Sequence, residues 1–175
     1  MSESGEVTHQ TFEFDSLDGP RLVGDLAMAS TVVGAAVVCH PHPQYGGTRF
    51  DQVVSAMFAA LPGAGIATLR FDFRSAFSDG VGERLDALAA IDELEAAAPG
   101  VPLALVGYSF GAWVVLGLDD DRVDAMVAVA PPRTSVEIEF ETIEMADHFL
   151  SGRTAAVADR AATWLSGRWR LPSLL

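Results

Sequence analysis

The chain has no lysine: its eleven basic residues are all arginine, set against 24 acidic ones, for a formal net charge of −13 over 175 residues. A surface so poor in positive charge repels phosphate backbones and anionic lipid heads, which excludes nucleic-acid and membrane-surface binding as expected functions. A single cysteine, Cys39, excludes an intramolecular disulfide, and its place in the apolar run 35–39 marks it as a small buried hydrophobe. Four histidines are too few for a metal cluster, and no Gly-x-Gly-x-x-Gly follows a strand, so no metal or phosphate-bearing cofactor is expected. No window approaches 18 apolar residues, and the acidic start 1–6 lacks an apolar core, so a soluble cytoplasmic protein is expected.

What remains is substantial. Half the residues are hydrophobic, enough for one domain with a real core spanning the whole chain. Segments 8–14 and 21–28 alternate as strands around a Ser-Leu-Asp-Gly-Pro turn and predict an antiparallel pair. Continuous apolar strands at 34–39, 66–71, 103–106 and 123–129 then alternate with helices at 51–61, 82–97 and 110–118. That alternation specifies a mostly parallel sheet covered on both faces, an α/β three-layer sandwich. Residues 154–165 predict a closing helix, with Trp164 and Trp169 packing on the domain.

The most telling stretch is Gly107-Tyr108-Ser109-Phe110-Gly111, directly after the strand at 103–106 and opening the helix at 110–118. Strand, Gly-x-Ser-x-Gly, helix is the context of a nucleophile elbow. There a serine sits in a strained turn, and the flanking positions leave no room for side chains. The other chemistry-bearing segments also follow strands: the loop 40–47 (His-Pro-His-Pro-Gln-Tyr-Gly-Gly) and Asp72-Phe73-Arg74. In an open parallel sheet that end is where ligands bind.

Together the loop 40–47, the segment 70–74 and the elbow resemble one branch of the α/β-hydrolases, the small lidless proteins similar to dienelactone hydrolases and short-chain esterases. The likeness runs over residues 8–132, and 146–150 (Ala-Asp-His-Phe-Leu) resembles that family's catalytic-histidine segment. The resemblance implies Ser109 as nucleophile, His148 as general base, and an oxyanion hole from the backbone N–H groups of Phe110 and His42. It implies a small ester or lactone substrate. Tyr45 and Tyr108 are expected to contact it, with packing as the other reading for Tyr45. His40 is expected to hold its loop by hydrogen bonds, Asp72 and Arg74 to pair with each other, and His9 to lie on the surface.

The third member of a triad is harder to place. Only residues 133–147 separate Pro132 from His148, so one strand–helix unit of that branch is expected to be missing and no lid to be present. The run 136–145 reads as a strand. If it lies antiparallel to its predecessor, His148 emerges at the wrong end of the sheet. Two routes avoid this: residues 131–138 running back extended, or exchange of the C-terminal segment in a homodimer. Glu137 is the first candidate acid. Asp147 adjoins the histidine, and Glu139 and Glu141 read as a solvated strand face. A non-catalytic binding or regulatory protein on the same fold is the alternative function. An acyltransferase or perhydrolase would share the acyl-enzyme.

Overall fold

A computed structural model describes residues 6–132, 143–144 and 146–169. Strands β1 (Thr8–Asp15), β2 (Arg21–Met28), β3 (Gly34–Cys39), β4 (Ile66–Phe71), β5 (Leu103–Tyr108) and β6 (Val123–Val129) form one sheet in the order β1-β2-β4-β3-β5-β6. β2 is antiparallel to both β1 and β4, and the remaining pairs are parallel. β5 runs two residues past its apolar core because Gly107 and Tyr108 still pair with β6.

Helices α1 (Gln52–Ala60) and α4 (Thr154–Trp169) cover one face, and α2 (Val81–Ala97) and α3 (Phe110–Leu116) cover the other. The core divides accordingly. Val53, Met57 and Leu61 meet Val157, Ala161 and Leu165 over Val38 and Val106. Ile91, Leu94, Val114 and Val115 pack over Val37, Leu69 and Leu105 on the opposite face. β3 and β5 are buried throughout, which is why their sequences are unbroken apolar runs. This is the expected three-layer sandwich. α4 runs to Trp169, whose ring fills the space that a side chain at Gly34 would need.

Among the described residues β6 is the last strand, and no helix is long and apolar enough to cross a membrane. Of the run 136–145, only Ile143 and Glu144 are described, and neither is in a strand. Glu137, Glu139 and Glu141 lie outside the described residues.

One expected pairing is corrected. Arg74 does not pair with Asp72. Its backbone N–H, Nε and Nη2 donate to Asp86 on α2, and its guanidinium also holds Asp18 and Ser16. Asp72 instead accepts from the backbone and guanidinium of Arg49, which shares Asp25 with Arg70. The reason is burial: Asp86 is fully inaccessible and needs a bidentate cation, whereas Asp72 keeps a third of its side chain exposed.

Arg74→Ala would leave Asp86 buried without its cation. Urea denaturation should show a loss of about 3–5 kcal/mol. The Arg74 hydrogen bond also holds the Asp18 carboxyl down to about 2 from 3.8. A carboxyl depressed in the fold stabilises above its unfolded pKa and loses that contribution as pH falls through the folded value. Denaturation midpoints should therefore fall between about pH 4 and pH 2, and Asp18→Asn should flatten that part of the curve.

Candidate active site

The site is built where β3 and β5 end. A Cβ on Gly107 would overlap the Gly111 carbonyl, and one on Gly111 would overlap the carbonyls of Cys39 and His40. With both glycines bare, the first turn of α3 lies directly against the end of β3. Ser109, caught between them, takes φ 53° and ψ −111°, a conformation costing about 1–3 kcal/mol. Its backbone N–H is held by the Val129 carbonyl at 2.9 Å. The Phe110 N–H, at the first position of α3, has no intrahelical acceptor by helix geometry.

His148 lies beside this serine in the same chain. Its Nε2 is 3.2 Å from Ser109 Oγ, and its side chain is exposed. The wrong-end geometry feared for the histidine does not occur, and no exchange between subunits is needed to join the two groups. The segment is fastened by Leu150, which is buried in the α1/α4 core with φ 53°. The Asp147 carboxylate accepts from the Ser151 N–H and hydroxyl, closing the turn 147–151. Asp147 is thereby committed to its own turn, and these bonds lower its pKa. No carboxylate of the described residues is hydrogen-bonded to the His148 imidazole.

The loop after β3 is equally determined. Pro43–Tyr45 form one 3-10 turn, with the His42 carbonyl accepting from the Tyr45 and Gly47 N–H groups at 3.0 Å. Gly46 has φ 84°, and a Cβ on Gly47 would overlap the Pro41 carbonyl, so the paired glycines are required. His42 Nδ1 accepts from the Gln44 N–H. Its ring meets those of Tyr45, Phe77 and Phe110 at 4.6–4.7 Å, which ties the loop to the elbow. Phe77 carried no sequence signal, because it sits in an irregular loop 35 residues away.

His40 does hold its loop. It is buried, its Nε2 accepts from the Phe73 N–H and its Nδ1 faces the Pro41 carbonyl, so Nδ1 carries the proton. Burial lowers its pKa and keeps it neutral. Burial likewise pushes the Cys39 thiol up. His9 is exposed.

Of the two tyrosines, Tyr45 is 87% exposed beside His42. Tyr108 is set inward. It is only 5% exposed, and its hydroxyl donates to the His148 carbonyl at 2.8 Å. The described residues also form a cleft of about 270 Å³ between the loops after β3 and β4. It is lined by His40, Pro43, Gln44, Gly47, Thr48, Asp72, Phe73, Arg74 and Ser75, not by Ser109 or His148.

The strand order and the serine elbow define the class of fold. The chain belongs to the alpha/beta hydrolase family, whose sequence profile matches residues 36–175. It is 35% identical over 131 residues to an uncharacterized protein of Rickettsia prowazekii, covering 68% of this chain and 55% of that relative's length. Among solved structures, an alpha-beta serine hydrolase homologue from Coxiella burnetii superimposes with TM-score 0.79 at 24% identity, covering 89% of this chain and 97% of that one. A serine hydrolase without lid from Xanthomonas campestris matches with TM-score 0.79 at 23% identity, covering 94% and 97%.

Gly111→Ala tests the close approach directly. Overpacking against the Cys39 carbonyl should lower stability by about 1–3 kcal/mol in chemical denaturation. Gly63→Ala, where nothing stands within 4 Å, should leave stability within about 0.5 kcal/mol.

Proposed function

We propose that this protein is a serine hydrolase of small carboxylic esters or lactones, working through an acyl-enzyme on Ser109. The observation that carries the reading is the Ser109 Oγ–His148 Nε2 distance of 3.2 Å at an elbow whose serine is held at φ 53°. A serine hydroxyl is a poor nucleophile until a base takes its proton, and a neutral imidazole at hydrogen-bond distance does so. Oγ attacks the ester carbonyl as its proton passes to His148 Nε2. The oxyanion forms toward the Phe110 N–H and the N–H of His42. Such donors are worth about 3–4 kcal/mol each.

Collapse of the tetrahedral intermediate breaks the ester C–O bond, and His148 returns the proton to the leaving alkoxide. Water, deprotonated by the same imidazole, then releases the acid and restores Ser109. The exposure of His148 and Tyr45 at the site suits short substrates reached directly from solvent. Glu137 stays the candidate acid of the triad.

The alternative reading is a non-catalytic binding or regulatory protein on the same scaffold. The two readings separate on labelling with a fluorescent fluorophosphonate. The wild type should label, Ser109→Ala should not, and His148→Ala should label roughly 10²–10⁴-fold more slowly. A folded wild type that fails to label sinks the hydrolase.

A further inference from the structure

A triad acid does two things for its histidine: it fixes the orientation of the ring and stabilises the imidazolium. Here the first task has another visible agent. Tyr108 is the last residue of β5 and the neighbour of Ser109, and its ring lies among Val38, Val53, Met57 and Val106 beneath α1. Two χ angles, both packed, leave the phenol little freedom. Its O–H ends 2.8 Å from the His148 carbonyl, and the two rings stand 6.0 Å apart at 32°. Among the described residues this segment is also fastened by Ile143, Ala146 and the buried Leu150, which pack on the α1/α4 core, and by the Asp147–Ser151 turn that brackets the histidine.

We propose that Tyr108 is a positioning residue for the general base. It ties the His148 main chain to the residue that carries the nucleophile, so that Oγ and Nε2 hang from one rigid point. The inference rests on the Ser109–His148 reading above. It replaces the expected substrate contact of Tyr108 with a structural link between the two reacting side chains. Burial, followed by the nearby Asp51 and Asp147 charges, raises the phenol's pKa, so it remains a donor wherever the histidine is a base. The tether acts on orientation alone and supplies no charge to an imidazolium. Its loss should therefore slow proton removal from Ser109 without weakening substrate binding.

Tyr108→Phe keeps the ring and deletes the hydrogen bond. With 4-nitrophenyl acetate as substrate, kcat should fall roughly ten- to a hundredfold while KM stays within about twofold, and the fluorophosphonate labelling rate should fall in parallel. In a His148→Ala background the same substitution should change the labelling rate by less than about twofold, since nothing remains to be positioned. Added free imidazole should rescue His148→Ala equally with Tyr or Phe at position 108, because it has no main chain to tether.

Four results overturn the proposal: an unchanged kcat; a changed KM alone, which would make Tyr108 a substrate contact; an undiminished loss in the His148→Ala background; or a rescue that depends on residue 108. The last two would place the effect in the elbow or the packing. They leave the hydrolase reading standing, provided the wild type labels and His148→Ala does not keep pace. A wild type that does not label removes both.

Discussion

The close passage of α3 across the end of β3 is the constraint from which the site follows. Bare glycines at 107 and 111 let the helix rest on the Cys39 and His40 carbonyls, where a Cβ at either position would overlap backbone. That contact twists Ser109 into positive φ and puts the Phe110 N–H at the mouth of the sheet. It also seats the Phe110 ring against His42, Phe73, Phe77 and Trp113. The placement of Ser109, of the Phe110 N–H and of the loop 40–47 beside them thus follows from one backbone contact.

Around that contact three arginines are used internally. Arg74 joins the loop after β4 to α2 and to the β1–β2 turn, while Arg49 and Arg70 gather Asp25 and Asp72 beneath α1. The guanidinium suits this work, because its planar fork can satisfy two carboxylates at once where an ammonium could not. Glu83, fully buried, closes the remaining loop by accepting from the Ser78 and Gly80 N–H groups. The arrangement leaves a strongly acidic exterior and loops held by buried, directional bonds.

The histidine arrives by a different logic. Ser109 and the loop 40–47 sit at strand ends, but His148 stands on a short turn outside the sheet. It is pinned by a buried leucine, a capping aspartate and the hydroxyl of Tyr108. The placement of His148 is a tertiary matter here, spread over contacts from β5, the core and the turn itself.

The sequence by itself determined the layered α/β architecture and the elbow, since both are written in local signals. Strand boundaries fell within a residue or two because unbroken apolar runs belong only to doubly covered strands. Gly-x-Ser-x-Gly and the paired glycines at 46–47 are backbone requirements that leave no alternative residue. The tertiary structure alone decided how charges pair and how His148 comes to Ser109. Arg74 passes over Asp72 for an aspartate twelve residues on and another fifty-six residues back. Phe77 joins His42 across 35 residues, and the Tyr108 hydroxyl meets the His148 carbonyl, forty residues away. Partners so far apart along the chain leave no periodicity to read. They are chosen by burial, which sets which carboxylate must have a cation and which hydroxyl must find an acceptor only after the layers have closed.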